Sequence, residues 1–273
     1  MPDPLRVFPS INHNKEISAL TAESILEVRN LRKNYGSLVA VDGISFDVAK
    51  QEIFGILGPN GAGKTTTLET IETLRPIDDG VIRVNGIDVK SAPQDVKRII
   101  GVQLQSSSFF DKLNLVELLR LFGELYSRVV DPYALLDEVE LRDKAKSQVG
   151  ELSGGQKQRF SIAAALVNEP LVIFLDEPTT GLDPQARRHL WGVIKRIRSE
   201  GKTIVITTHY MDEAEELCDR VAIMDQGKII ALDRPHDLIT QLLSGGFKKE
   251  RIERQANLED VFLNLTGHSL REE

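Results

Sequence analysis

Hydrophobic positions along the chain change period several times, and each change marks an element. Residues 25–29 and 44–48 alternate apolar with polar side chains and are separated by Asn34-Tyr35-Gly36 and Asp42-Gly43, which predicts two short antiparallel strands. Residues 53–57 form an unbroken apolar run, as expected of a buried strand, and lead through a glycine-rich loop into a helix start at 66–71. An Asn85-Gly86 pair between alternating residues signals a hairpin. A short helix over 94–98 and a strand over 99–105 follow. From Asn114 the period turns helical: Asn114 and Glu117 form a capping-box pair, and Leu115, Leu118, Leu119 and Phe122 recur at helical spacing. That texture persists to Val167, broken at Asp131-Pro132, so residues 106–168 read as a helical insert between β-rich parts.

Beyond the insert, apolar strands are expected over 171–175 and 203–207. Between them Asp183-Pro184 opens a helix that runs to Arg198 and stops at Gly201, with Asp183 as N-cap and Pro184 in the first turn. A helix over 212–218, a hairpin over 221–230 and a helix over 235–243 close the unit. The alternation of strands and helices over 24–243 is that of an α/β domain. Residues 1–23 carry three prolines and no clear period, and read as a poorly ordered extension. Residues 244–273 form a short appendage: a linker, then an amphipathic helix with Leu258, Val261, Phe262 and Leu265 on one face and Gly267 as its cap.

Composition narrows the class. The 273 residues are 41% hydrophobic and 27% charged, the balance of a soluble globular protein. No apolar run approaches the ~20 residues of a membrane helix, and the start at Met1-Pro2-Asp3 lacks the apolar core of a signal peptide, so a cytosolic chain is expected. A net charge of -7 lacks the basic balance usual for a nucleic-acid binder, and no nucleic-acid partner is expected. The single Cys218 excludes an internal disulfide and reads as a small core residue.

Chemistry concentrates in four places. Gly58, Pro59, Asn60, Gly61, Ala62, Gly63, Lys64 and Thr65 have the G-x-x-x-x-G-K-T spacing, followed by Thr66. The glycines let backbone N–H groups wrap a phosphate chain, Lys64 can reach the β- and γ-phosphates, and the Thr65 hydroxyl can ligate Mg²⁺. Ser153, Gly154, Gly155 and Gln156 form a second helix start able to take an anion, with Ser153 as N-cap. An apolar strand delivers Asp176 and Glu177 at its end, placing Asp176 on the Mg²⁺ shell and leaving Glu177 free to accept a proton from attacking water. His209 stands at another strand end, where open α/β sheets hold ligand groups, and is expected against the γ-phosphate. Tyr35 fits either a ring stacked on the nucleotide base or a turn tyrosine covering apolar surface. Asp183 is fully explained as a cap.

Together these motifs resemble the ATP-binding cassette of ABC transporters. Residues 58–65 are similar to its Walker A motif, 152–156 to its LSGGQ signature and 171–176 to its Walker B, in the family's order. Glu177 matches the catalytic glutamate, Asp183 the D-loop aspartate, His209 the switch histidine, Gln105 the Q-loop glutamine and Tyr35 the base-stacking aromatic. The resemblance implies a P-loop NTPase fold of ABC type: a mixed sheet core, an antiparallel β subdomain and an inserted helical subdomain. It implies ATP and Mg²⁺ as ligands, with Glu177, His209, Gln105 and Lys64 catalytic and Thr65, Gln105 and Asp176 around the metal. It further implies a head-to-tail homodimer in which the signature of one copy, Ser153 to Gln156 with Asp183, completes the ATP site of the other.

The phrases beginning at Thr208 and Leu258 are similar to the branch serving drug, antibiotic, lipid or ion exporters whose membrane permease is a separate chain. That places the chain at the cytoplasmic face of the membrane. Asn114 and Glu140 stand where threonine and glycine are more usual, a difference expected to change little, and the stretch before Leu258 is shorter than the branch's appendage. The alternative is a soluble ABC ATPase acting as a clamp on nucleic acid or ribosome. Such clamps carry a long coiled coil or two cassettes, and neither pattern occurs here.

Overall fold

A computed structural model describes residues 24–104 and 109–247 of the 273. The extension over 1–23, the amphipathic helix expected at 258–267 and Gln105 lie outside the described residues.

Two sheets organise the domain. Strand β1 (Ser24–Tyr35) and strand β2 (Leu38–Ala49) form an antiparallel hairpin turned at Gly36, whose φ is 59°. Both run 12 residues, longer than the sequence period indicated. The difference lies at Asp42-Gly43, which the sequence pattern marks as a separator but which sits inside β2. Leu31 pairs with Ile44 and Arg32 with Asp42, so Gly43, at φ 69°, is the unpaired residue of a bulge. Arg32 donates to Asp42 at 2.7 Å across that irregularity. Strand β3 (Ile53–Leu57) belongs to the other sheet, whereas β4 (Asp79–Val84) pairs with β1, and β5 (Ile87–Asp88) with β4. Asn85 and Gly86 join the last two at φ 48° and 78°, the positive pair that a two-residue hairpin turn with native twist requires.

The second sheet adds β6 (Ile100–Gln103), β7 (Val172–Asp176), β8 (Thr203–Thr208), β9 (Arg220–Asp225) and β10 (Lys228–Asp233), in the order β10-β9-β3-β8-β7-β6. All neighbours pair in parallel except β9 with β10. Strands β3, β7 and β8 are buried at every residue because both faces of the sheet are covered. Phe54, Ile56, Val172, Phe174 and Val205 point toward the first sheet, where Phe46 stacks on Phe54 with ring centroids 5.1 Å apart. Ile53, Leu57, Ile173, Leu175, Ile204 and Ile206 point the other way, into the helices.

Helix α1 (Lys64–Ile71) leaves the phosphate loop, and α2 (Pro93–Ile99) precedes β6. The insert supplies α3 (Leu115–Leu125), α4 (Pro132–Glu138) and α5 (Gly154–Leu166). Asn114 and Glu117 form the expected capping box, at 3.0 and 2.9 Å, and Asp131 caps α4 with Pro132 at its first position. The insert is less continuous than its period suggests: between α4 and α5 the chain makes only single 3₁₀ turns. Glu140, at φ 55°, ends α4 there, since a left-handed residue cannot continue an α-helix. Helix α6 (Pro184–Ser199), α7 (Met211–Leu217) and α8 (Pro235–Ser244) complete the domain. Leu190, Val193, Ile194 and Ile197 seat α6 on the parallel sheet, in a core shared with Leu118, Leu119, Phe160 and Leu166 of the insert. Phe160 meets Phe109 edge-on at 5.1 Å.

Candidate active site

Strands β3, β7 and β8 end at the same edge of the sheet, and their C-terminal residues build the site. After Leu57 the chain turns through 58–63 into α1, whose N-cap Gly63 has φ 101°. Two of these glycines are sterically obligatory. A Cβ on Gly58 would lie 2.2 Å from the Met224 carbonyl oxygen, and one on Gly63 would lie 2.4 Å from that of Ala40. The loop is thus pressed against β2 and the end of β9.

Lys64 is 4% exposed and donates to the carbonyls of Gly58 at 2.9 Å and Pro59 at 3.1 Å. Its Nζ also lies 3.1 Å from Glu177 Oε1. Glu177 stands one residue past the Asp176 that ends β7, at φ 46°, and its N–H donates to Thr207 Oγ1 at 3.0 Å. Oε2 meets Thr180 Oγ1 at 3.2 Å and His209 Nδ1 at 3.1 Å. Burial would raise this carboxyl, but the Lys64 ammonium and His209 outweigh it and hold the group below the usual carboxylate range. Asp176 behaves oppositely: burial pushes it up, and bonds from the Thr207 and Thr65 hydroxyls offset only part of that.

Thr65 Oγ1 lies 3.3 Å from Asp176 Oδ1. A hydroxyl and a carboxylate side by side are hard oxygen donors suited to Mg²⁺, which takes few protein ligands and completes its shell with phosphate oxygens and water. No group of three or more His, Cys, Asp or Glu side chains placed to hold a metal occurs among the described residues.

A cleft of about 590 Å³ opens above the loop, lined by Tyr35, Leu38, Val39, Ala40, Asn60, Gly61, Gly63, Lys64, Thr65, Thr66, Glu177 and Gln226. The Tyr35 ring is part-exposed at the mouth, with Lys33 and Arg75 each 5.6 Å from its centroid. Leu38 and Val39 are exposed beside it and offer an apolar wall for a flat heterocycle. Sequence reasoning did not single out these two, nor Thr180, Thr207 and Gln226. Exposed apolar residues directly after a hairpin turn were the available signal for the first pair. For Gln226 it was the turn before Gly227, where both residues have positive φ.

Ser153, Gly155 and Gln156 lie in a separate recess of about 200 Å³ shared with Arg159, Asp183, Gln185, Ala186 and His189. Ser153 caps α5, accepting from Gln156 N at 3.3 Å, while Gln156 Oε1 accepts from Ser153 N at 2.9 Å. Gly155 is packed tightly, since a Cβ there would come within 3.1 Å of Ala186. Asp183 caps α6, accepting from Gln185 N at 2.9 Å and Ala186 N at 2.8 Å. The sequence-predicted residues therefore form two groups with no lining residue in common. The phosphate loop, Asp176, Glu177, His209 and Tyr35 make one, and Ser153, Gly155, Gln156 and Asp183 the other.

Comparison with known proteins places the chain among ATP-binding transport proteins. A family model described as "ABC transporter" matches residues 41–180. The Nod factor export ATP-binding protein I of Burkholderia orbicola (strain AU 1054) is 38% identical over 301 aligned residues, covering 90% of this chain and 98% of that protein. The linearmycin resistance ATP-binding protein LnrL of Bacillus subtilis (strain 168) is 39% identical over 226 residues, covering 80% and 72%. Among solved structures, a dimeric ATP-binding cassette in a post-hydrolysis state with ADP and Pi superposes with a TM-score of 0.69 at 25% identity, covering 77% of this chain and 98% of that one.

Proposed function

The chain belongs to the ABC transporter family, and we propose that it is the ATPase subunit that energises export by a separate membrane permease. It binds and hydrolyses ATP, as its family does. The observation that carries the residue assignment is the convergence of Lys64, Thr65, Asp176, Glu177 and His209 at one sheet edge, with Lys64 and His209 on the Glu177 carboxylate and Thr65 on that of Asp176.

In this reading the loop N–H groups of 58–65 and Lys64 hold the triphosphate, and Tyr35 with Leu38 and Val39 receives the base. Thr65 and Asp176 would hold Mg²⁺, assisted by Gln105 as the family resemblance implies. The metal's contribution is to neutralise charge on the β- and γ-phosphate oxygens. Glu177 accepts a proton from the water that attacks the γ-phosphorus as the bond to the β-γ bridging oxygen breaks. Its contacts with Lys64 and His209 hold it below the usual carboxylate range, so Glu177 is ionised, as a base must be, before Lys64 turns to the phosphate. His209 orients Glu177 and reaches the γ-phosphate.

The recess around Ser153 and Asp183 has no phosphate loop of its own. Two copies arranged head to tail would bring Ser153, Gly154, Gly155 and Gln156 of one against the nucleotide of the other. A dimeric, nucleotide-bound relative supports such an arrangement. ATP then favours the closed pair by its differential affinity, and hydrolysis removes that bias. No described helix is long and apolar enough to cross a membrane. The exporter-type relatives support a place at the cytoplasmic face beside a permease. Relatives named for Nod factor export and linearmycin resistance favour this reading over a clamp on nucleic acid or ribosome.

Glu177→Gln is the test. ATP binding should persist and an ATP-dependent dimer should accumulate, while turnover falls by ~10² or more. Unchanged turnover would remove Glu177 from the role of base, and a chain that stays monomeric with ATP would remove the sandwich.

A further inference from the structure

Glu140 holds its place at a backbone cost. Its φ of 55° lies in the left-handed region, which favours glycine over a residue with a side chain. The residue holds a neighbour on each side, one through its backbone and one through its side chain. Through its carbonyl, Glu140 accepts from Nη1 of the buried Arg159 at 2.8 Å, and the same nitrogen donates to Val139 O at 2.9 Å. Arg159 lies on α5, the helix that opens at Ser153. Through its carboxylate, Glu140 accepts from Arg196 Nη2 at 2.6 Å and contacts His189 Nε2, both on α6, the helix that opens at Asp183. His189 in turn lines the recess with Ser153, Gln156 and Asp183.

One residue therefore grips the helix behind the signature with its backbone and the helix behind Asp183 with its side chain. We propose that Glu140 is a positioning residue for ATP turnover, setting the angle at which the Ser153 corner is presented beside Asp183. This rests on the head-to-tail sandwich, in which that corner faces the partner's nucleotide. A purely stabilising role is disfavoured by the surroundings. The side chains of Glu140, His189 and Arg196 are 45%, 44% and 39% exposed, where ion pairs contribute little to folding. Glycine at this position would relieve the backbone and remove the bridge at once.

The experiment compares Glu140→Gly and Glu140→Gln with the parent, as full chains. Hydrolysis with Mg-ATP, binding of a fluorescent nucleotide to the monomer and thermal unfolding are measured. ATP-dependent dimerisation is measured in the Glu177→Gln background. For Glu140→Gly we expect kcat to fall about fivefold, the value of one weak charge network expressed as a rate. Monomer nucleotide affinity should stay within about twofold, the unfolding midpoint should hold or rise, and the ATP-bound dimer should weaken. Glu140→Gln, which keeps a hydrogen-bond acceptor, should fall between the two. A parent that dimerises beside variants with unchanged turnover and dimerisation would overturn the positioning role alone. So would a loss of turnover that tracks a lowered unfolding midpoint in both variants. A Glu177→Gln chain that stays monomeric with ATP would overturn the sandwich and this role together.

Discussion

Lys64 Nζ and Glu177 Oε1 lie 3.1 Å apart, in side chains that are 4% and 7% exposed. The amine expected to hold phosphate and the carboxylate expected to receive a proton thus form a buried ion pair, for which a γ-phosphate bound as proposed would compete. Breaking such a pair from one side leaves an uncompensated charge, which costs ~3–5 kcal/mol. Thr180 and His209 remain on Glu177, so Lys64→Met should destabilise toward the low end of that range. Denaturant unfolding checks this, and added ATP should no longer raise the midpoint. A variant as stable as the parent would show that the pair carries no folding energy.

The Phe160 ring is fully buried and meets Phe109 edge-on at 5.1 Å, joining the first described residue of the insert to its last helix. Phe160→Ala should cost ~3–5 kcal/mol through lost burial and the cavity left behind. Urea titration measures the loss. Because Phe160 sits two turns into the helix that Ser153 caps, ATPase activity should fall with it.

Gly55 faces Cys218 across β3 and the end of α7. A Cβ on Gly55 would lie 2.7 Å from Cys218 Sγ and 3.0 Å from Val221 Cγ1. Gly55→Ala should therefore cost ~1–3 kcal/mol as an overpacked core. Removing the sulfur relieves the nearer contact, so Gly55→Ala with Cys218→Ala should destabilise less than the sum of the two single changes, as a double-mutant cycle will read. Burial pushes the Cys218 thiol far above its usual range, and alkylation of the folded chain should be slow.

Glu72, at the C-terminal end of α1, is 2% exposed, and its carboxyl is pushed up to about 8 by burial, with Asp176 and Glu69 adding like charge. The folded chain thus keeps a proton that the unfolded chain releases near its ordinary value of 4.5. More protons are bound folded than unfolded across that window, so this group makes stability fall as pH rises from 4.5 to about 8. Glu72→Gln should flatten that component without nucleotide present. Unfolding midpoints of parent and variant at several pH values give the difference, and parallel profiles would refute it.

Much of the domain was legible because its determinants are local. The Asn85-Gly86 turn and the caps Asn114, Ser153 and Asp183 each follow from the backbone needs of a few neighbouring residues. The phosphate loop is likewise written in consecutive residues. Where local signals misled, a tertiary partner decided. Asp42-Gly43 reads as a turn, yet pairing with β1 absorbs it as a bulge. Glu140 reads as one more helical position, and an expectation that it changes little did not foresee its contacts with His189 and Arg196, 49 and 56 residues away.

By itself the amino-acid order determined the element types, the phosphate-binding loop and the identity of the carboxylates and histidine at the strand ends, since strand period, caps and glycine torsions act over a few bonds. Only the tertiary structure decided that Lys64 pairs with Glu177, that Thr207 steadies the acidic pair, and that Ser153 and Asp183 occupy a recess apart from the phosphate loop. Those relations join side chains far apart in the chain, and they exist once parallel pairing of β3, β7 and β8 brings three strand ends to one edge.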